Sequence, residues 1–222
     1  MRVLYEDDGL LAVDKPAGVV VIPERDEDPS LALRQRLESS RGERLWVVHR
    51  IDRDTSGVVL FARGPDAHRA LNALFETRAV EKVYTALTAG APSPPEGTVS
   101  VALHTARKGK MRPALPGEAD ALDARTAYRV TGVWETSAAT VARVEVSPHT
   151  GRQHQIRVHM RYLGTPLLVD PLYGRSVAVP GIPARLTLHA ASVTLPWRGG
   201  SLRIEAPLAE DLAAFVSALS LQ

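Results

Sequence analysis

Short apolar runs of strand length recur along most of this chain and are joined by brief polar turns. Residues 3–5 and 10–13 flank Asp8-Gly9, a dipeptide typical of β-hairpins. Residues 58–61 are continuously apolar, which predicts a buried strand. Further strands are predicted at residues 46–49, 82–87, 126–134, 139–146, 186–194 and 201–205, and helices at 30–37, 65–78 and 208–219. Because short links favour antiparallel neighbours, we expect an α+β fold with a mixed, mostly antiparallel β-sheet and flanking helices.

The composition excludes several classes of protein. With 222 residues, 45% of them hydrophobic and 23% charged, the chain has enough apolar sequence for a folded core. It has no cysteine, which excludes disulfides, thiolate metal sites, iron–sulfur clusters and a cysteine nucleophile. No apolar run resembles a signal peptide or spans a membrane, so we expect a cytoplasmic protein without a membrane partner.

A net charge of only +2 conceals two basic segments. The stretch from His149 to Arg203 holds seven arginines and a single acid, Asp170. The stretch from His104 to Arg112 holds four further cations and no acid. Local patches rather than the total decide which partners a protein surface attracts. The charge distribution is therefore compatible with an anionic binding partner.

The polar segment between two predicted strands, His49 to Gly57, is the first candidate for chemistry. It contains two carboxylates (Asp52 and Asp54), three potential cations (His49, Arg50 and Arg53), two hydroxyls (Thr55 and Ser56) and a glycine. Reactive residues are often carried on loops between rigid elements, but the same residue types also build an ordinary tight turn. Alone, the segment leaves both interpretations open.

A second candidate is the predicted helix at residues 153–163. His154, Arg157 and Arg161 share one of its faces at i, i+3 and i+7, forming a cationic stripe that we expect to contact phosphates. The evenly spaced His149, His154 and His159 invite a metal site, but residues five apart lie about 140° from each other on a helix. We therefore expect no bound metal.

Residues 91–97 are predicted to be a loop, and residues 104–123 a second, longer one. Lys108 and Lys110 flank Gly109, an arrangement suited to contacts with phosphates. The sequence has no nucleotide-binding loop, no dinucleotide fingerprint and no nucleophile elbow, so we expect neither a nucleotide nor another cofactor.

Read in order, these segments resemble the RluA-type family of RNA pseudouridine synthases. The motifs are Asp14-Lys15-Pro16-Ala17-Gly18, His49-Arg50-Ile51-Asp52, Thr55-Ser56-Gly57, Glu81-Lys82-Val83-Tyr84, residues 151–159, residues 164–174, Leu188-His189-Ala190 and Ala206-Pro207-Leu208. Ile51 stands where members more often have leucine. The resemblance implies the pseudouridine synthase fold, with an active-site cleft across the sheet. It also implies one catalytic domain over residues 1–222, with no separate N-terminal RNA-binding domain of the S4 type.

The resemblance also implies the chemistry. A uridine in structured RNA, either ribosomal or transfer RNA, is flipped out and isomerised to pseudouridine without a cofactor. Asp52 is the implied catalytic aspartate, Tyr84 the active-site tyrosine and Arg157 the basic partner of Asp52. Arg50 would occupy the space of the flipped base. The other expected RNA contacts are Thr55, His154, Lys108, Lys110 and Arg161, and we expect a monomer.

Two other functions fit parts of the sequence. A non-catalytic RNA-binding or ribosome-assembly protein would share the fold, but it would not need Asp52, Tyr84 and Arg157 together. A hydrolase of another glycosidic bond would use Asp52 and Asp54 as a pair. Residues two apart in an extended loop point to opposite sides, which argues against that pair.

Overall fold

Two units, each made from two separate stretches of chain, make up the fold. A computed structural model describes residues 1–23, 28–174, 177 and 179–221. Unit 1 comprises Met1–Lys82 and His189–Ala209, and unit 2 comprises Val83–Leu188 and Glu210–Gln222. The strands are β1 (Arg2–Glu6), β2 (Leu10–Lys15), β3 (Trp46–Val47), β4 (Ser56–Ala62), β5 (Glu81–Ala89), β6 (Glu96–Ser100), β7 (Leu103–Thr105), β8 (Met111–Pro113), β9 (Arg125–Glu135), β10 (Thr140–Pro148), β11 (Leu188–Trp197) and β12 (Gly200–Glu205). The helices are α1 (Leu33–Arg41), α2 (Pro65–Glu76), α3 (Gln155–Tyr162) and α4 (Glu210–Leu219).

Strand β4 is the centre of unit 1. All of its residues are buried, as its continuous apolar sequence predicts. It pairs antiparallel with β2 along its length and with β3 at its far end, and parallel with β11 at His189↔Ser56. Strand β1 adds to β2, and β12 adds to β11. Leu71 of helix α2 packs into the core formed by β2, β4 and β11. The chain between β3 and β4 therefore leaves and re-enters a rigid sheet.

Unit 2 is built on antiparallel strands in the order β5-β10-β9-β6. Ile156 and Met160 of helix α3 bury their side chains in a core with residues of β5, β9 and β10. The short strands β7 and β8 form a separate two-stranded hairpin. Its Leu103 and Met111 pack with Val158 of α3 and with Tyr173. Helix α3 is thus held between the larger sheet and the hairpin.

Most predicted elements are confirmed, and the sheet is mixed with flanking helices as expected. Three predictions are wrong in detail. Residues 104–123 are not one long loop, because β7 ends and β8 lies within them. Residues 91–97 already contain the start of β6, which pairs with β9. The helix predicted at residues 30–37 begins as a 3-10 turn, Pro29–Leu31, and Ala32 is extended before α1 starts at Leu33.

Among the described residues, none of the helices is both long enough and apolar enough to cross a membrane.

Candidate active site

Asp52 lies at the start of a tight turn that leads directly into the buried strand β4. The Thr55 amide donates a hydrogen bond to the Asp52 carbonyl at 3.1 Å, closing the turn. Asp52 is half-buried, Arg50 is exposed, and Ile51 is buried beneath them at 9% exposure. The segment is therefore not extended, and the argument from extended spacing against an Asp52 and Asp54 pair does not apply.

A buried lysine holds the turn from below. Lys15 is 0% exposed, and its ammonium donates hydrogen bonds to the carbonyls of Pro16 (3.0 Å), Val19 (2.6 Å) and Arg53 (2.7 Å). The Gly18 amide donates to the same Arg53 carbonyl at 3.0 Å. Burying an ammonium is costly unless its donors are satisfied, so these carbonyls are fixed relative to the sheet. In the sequence, Lys15 belongs to the motif at residues 14–18, which gives it no individual role.

The other end of the turn is anchored by β11. The Ser56 hydroxyl lies 2.9 Å from Nδ1 of His189, whose Nε2 lies 3.3 Å from the Ala206 carbonyl. That carbonyl only accepts, so Nε2 donates to it, and Nδ1 of a neutral ring accepts from Ser56. Thr55 is 1% exposed, and its hydroxyl is buried with no hydrogen-bond partner among the described residues.

His49 is not one of the cations of this segment. Its Nε2 accepts a hydrogen bond from the Leu60 amide at 2.9 Å, and its ring stacks on Phe75 with centroids 5.1 Å apart. Burial, together with the positive charge of Lys82, lowers the pKa of His49 to about 3. The imidazole is therefore neutral at physiological pH, which leaves Arg50 and Arg53 as the cations of the segment.

Tyr84 lies on strand β5 in unit 2. It is half-buried, pairs with Val146 of β10 and packs against the core beneath helix α3. Strand pairing fixes the backbone at this position and therefore the face of the sheet on which the side chain lies.

Arg157 lies in helix α3 and forms a buried ion pair within unit 2. Its Nε and Nη2 donate hydrogen bonds to Asp170 Oδ2 at 2.8 Å and Oδ1 at 2.7 Å. The two side chains are only 6% and 0% exposed. The resemblance implies Asp52 as the partner of this arginine. Within unit 2, the carboxylate that binds it in bidentate fashion is that of Asp170. That pairing is not evident from the sequence, although Asp170 is the single acid among the seven arginines between His149 and Arg203.

The cationic stripe predicted around Arg157 is wrong in one respect, because Arg157 is buried. His154 is half-buried just before the helix, with a left-handed backbone (φ 53°), and Arg161 is exposed. His159 is buried, and its ring nitrogens lie 2.8 Å from Thr126 Oγ1 and 2.9 Å from the Val101 carbonyl. Only His154 and Arg161 of the stripe are therefore placed near the protein surface.

The basic residues at positions 107–112 belong to the β7–β8 hairpin. Arg107–Gly109 form a 3-10 turn, and the half-buried Lys110 follows it, with its carbonyl accepting from the Ala106 amide at 2.7 Å. The side chain of Lys108 lies outside the described part of the chain. Arg112 is ion-paired with Glu118, and this pairing lowers the pKa of Glu118 to about 2. One of the four cations of this basic segment is thus already neutralised.

The structure therefore gathers Arg50, Asp52 and Thr55 on one turn in unit 1. In unit 2 it places Arg157 and Arg161 in α3, His154 immediately before it, Tyr84 on β5 and Lys110 on the hairpin.

Comparisons with known proteins assign these motifs to a family. Residues 9–162 match the RNA pseudouridylate synthase family. The chain is 35% identical over 236 residues to ribosomal large subunit pseudouridine synthase D of Xanthomonas campestris pv. campestris, covering 99% of this chain and 69% of that protein. It is 37% identical over 207 residues to the dual-specificity RNA pseudouridine synthase RluA of Escherichia coli K12, covering 92% of each.

A solved structure agrees with these matches. The human RNA Pseudouridylate Synthase Domain Containing 4 has a TM-score of 0.78 and 27% identity, and the match covers 98% of this chain and 92% of that one. The relatives are named as synthases, which favours the catalytic interpretation over a non-catalytic RNA-binding protein. The chain belongs to the RNA pseudouridylate synthase family and is an enzyme that isomerises uridine in RNA to pseudouridine.

Proposed function

We propose that Asp52 supplies the carboxylate of this reaction, with Tyr84 and Arg157 as the tyrosine and arginine that act with it. The observation that carries the proposal is the rigid backbone support of Asp52. Its turn is closed by the Thr55 amide, held at the Arg53 carbonyl by Lys15 and continued by the fully buried β4. A carboxylate on such a rigid support keeps its position while the substrate changes.

The chemistry needs a carboxylate of this kind. When the bond between C1′ and N1 of the uridine breaks, N1 keeps the electron pair and positive charge develops at C1′. The Asp52 carboxylate stabilises or captures that carbon. The uracil then turns, C5 forms the new bond to C1′, the proton on C5 leaves, and N1 gains a proton. No electrons are gained or lost overall, so the proposal requires no cofactor.

Arg157 is suited to keep the reacting aspartate ionised. A guanidinium stays protonated at physiological pH, and a nearby fixed cation favours the charged form of a carboxylate. Its two bonds to Asp170 fix the plane of the guanidinium. Tyr84 offers a flat face for the uracil and a hydroxyl for the proton that leaves C5.

RNA binding is proposed for Arg50 and for four residues of unit 2. Arg50, exposed two residues before Asp52, fills the space that the flipped base leaves and offsets part of the flipping cost of a few kcal/mol. Lys108, Lys110, His154 and Arg161 contact phosphates. Thr55 differs from these residues, because its hydroxyl is buried. We assign it to the shape of the turn rather than to a contact with RNA.

The decisive experiment compares Asp52→Asn with Asp54→Asn, its neighbour on the same turn. The substrate is bulk RNA labelled with 5-tritiated uridine, taken from a strain in which the gene is deleted. We expect Asp52→Asn to release no tritium while still binding RNA, and Asp54→Asn to remain active. Tritium release by Asp52→Asn at the wild-type rate would refute the assignment.

The target is proposed to be ribosomal or transfer RNA, since one relative is named for the large ribosomal subunit. Pseudouridine-specific chemical sequencing of RNA from the deletion strain would locate the uridine that stays unmodified.

We also propose that the enzyme acts in the cytoplasm as a monomer, with residues 1–222 as one catalytic domain. Its exposed large apolar side chains, such as Leu31, Val133 and Tyr162, belong to different elements. Cell fractionation tests the location, light scattering tests the monomeric state, and calorimetry tests whether residues 1–222 unfold as one domain.

A further inference from the structure

Tyr173 lies where three parts of unit 2 meet: the β7–β8 hairpin, the start of helix α3 and the Arg157 guanidinium. It is 6% exposed and packs in a small core with Leu103, Met111 and Val158. In the sequence it belongs to the motif at residues 164–174, which gives it no role in the reaction.

The hydroxyl of Tyr173 holds the hairpin to the helix. It accepts a hydrogen bond from the Met111 amide at 2.7 Å, and it lies 2.8 Å from Nδ1 of His154. A phenol has one donor and two acceptor positions. Because the Met111 amide donates, the hydroxyl proton is available for Nδ1 of a neutral His154. One buried hydroxyl thus connects strand β8, which follows Lys110, with the residue that precedes α3.

The ring of Tyr173 covers Arg157. The guanidinium carbon lies 5.1 Å from the ring centroid, a distance at which a cation is attracted to an aromatic face. Asp170 holds the same guanidinium through two hydrogen bonds, and its Oδ1 also accepts from the amides of Leu172 (2.9 Å) and Tyr173 (3.0 Å). The turn that positions the carboxylate therefore also positions the ring.

Arg161 completes the link from the surface side of the helix. Its Nη1 donates to the Tyr173 carbonyl at 2.9 Å, so the backbone of Tyr173 is tied to a residue proposed to contact RNA. The Gly174 amide donates to the Asp170 carbonyl at 2.9 Å and closes the turn. Contacts made by the side chain, amide and carbonyl of Tyr173 leave the residue little freedom to move independently of α3.

We propose that Tyr173 is a positioning residue that couples the RNA-binding hairpin to Arg157. Its hydroxyl fixes the position of the hairpin, and its ring fixes the position of the guanidinium. This inference rests on the proposed roles of Arg157 and of the hairpin. It predicts that the two functions of Tyr173 separate, because Tyr173→Phe removes only the hydroxyl, whereas Tyr173→Leu removes the ring as well.

The test measures tritium release from the labelled bulk RNA under single-turnover conditions, across a range of enzyme concentrations. For Tyr173→Phe we expect the half-saturating concentration to rise about tenfold, the effect of leaving one buried donor unpaired, with a smaller change in the rate at saturation. For Tyr173→Leu we expect the saturated rate itself to fall about ten- to hundredfold, because the guanidinium loses its support.

Tyr128→Phe is the matched control. Tyr128 is also 6% exposed in unit 2, and its hydroxyl donates to the Pro94 carbonyl at 3.3 Å. Neither residue belongs to the small core around Tyr173. We expect it to change neither constant. If Tyr173→Phe behaves like Tyr128→Phe, or lowers the saturated rate without affecting half-saturation, the inference is wrong.

Hydrogen exchange of the Met111 amide in the RNA-free protein gives a second readout. It should accelerate in Tyr173→Phe, while the Leu103 amide, which donates to the Leu122 carbonyl at 2.9 Å, should not. If the Met111 amide exchanges at the same rate in Tyr173→Phe and in the wild type, the inference is wrong. This measurement needs no turnover, so it is distinguishable from a failure of the proposed function, which the Asp52→Asn assay detects separately.

Discussion

Gly57 is the residue at which the Asp52 turn tolerates least change. Its φ is +109°, a region that favours glycine, and a Cβ there would lie 2.1 Å from the Ala190 carbonyl oxygen. Strand β11 pairs with β4 at this position, so the obstacle is backbone and cannot rotate away. A substitution here displaces either the turn or the neighbouring strand.

We therefore expect Gly57→Ala to destabilise the protein far more than Gly18→Ala. Gly18 also has a positive φ, +82°, but no atom lies within 4 Å of its hypothetical Cβ. Gly18→Ala should cost about 1–2 kcal/mol from backbone conformation alone. Thermal unfolding of both variants measures the difference, and a loss for Gly57→Ala no larger than that for Gly18→Ala would show that the strand gives way.

Asp170 offers a second prediction at the scale of single residues. Asp170→Asn keeps an oxygen for the amides of Leu172 and Tyr173 but removes the charge that faces buried Arg157. Removing one partner of a buried ion pair costs about 3–5 kcal/mol, because the other charge stays buried. We expect the free energy of unfolding, measured with urea, to fall by that amount and the catalytic rate to fall with it.

Asp211→Asn is the control for this change. Asp211 pairs bidentately with Arg185, but its side chain is 46% exposed. An exposed pair contributes about 0–1 kcal/mol. Equal losses in the two variants would mean that burial of the Arg157 and Asp170 pair carries no special cost.

At the scale of elements, the β7–β8 hairpin carries the charge that we assign to RNA binding. Lys108→Ala combined with Lys110→Ala should weaken RNA binding. It should also reduce the slope of log K against log salt concentration by about one to two, because fewer counterions are released on binding when two phosphate contacts are lost. Filter binding at several salt concentrations measures that slope. Arg69→Ala, at an exposed position on α2, removes one charge elsewhere and should leave the slope unchanged. A slope unchanged in the lysine variant would remove the hairpin from the RNA interface.

The elements that the sequence predicts well are those whose burial pattern is local. Strand β4 is continuously apolar from residue 58 to residue 62 and all of its residues are buried, and β9 and β10 are long and separated by a short link. Strands β6, β7 and β8 escape prediction because they are three to five residues long and lie in segments rich in proline, glycine or charge. Their pairing depends on partners elsewhere in the chain.

The same distinction holds for the site. The Asp52 turn is contiguous, so its motif is readable. The support for Arg157 comes from Asp170 and Tyr173, which lie beyond the end of α3, and proximity of that kind is not visible in spacing along a helix. The neutrality of His49 depends on burial and on the positive charge of Lys82, neither of which its neighbours in sequence disclose.

At the scale of the whole molecule, the stability of the protein should respond to acid earlier than its carboxylates alone require. Burial lowers the pKa of His49 to about 3, whereas an unfolded histidine titrates near 6.5. Between these pH values, His49 binds a proton in the unfolded chain but not in the folded one. The stabilising contribution is therefore complete above pH 6.5 and is lost progressively as the pH falls toward 3.

We expect the free energy of unfolding to fall by about 1.4 kcal/mol from this residue between pH 7.5 and pH 5.5. His49→Gln retains an oxygen that can accept from the Leu60 amide but has no proton to gain, so over that interval this variant should lose less stability, measured by urea unfolding, than the wild type. The remaining loss is expected from His159, whose pKa burial also lowers. His149→Gln changes an exposed histidine and should retain the wild-type dependence. If His49→Gln loses stability in acid as steeply as the wild type, the acid sensitivity of the fold originates at another group.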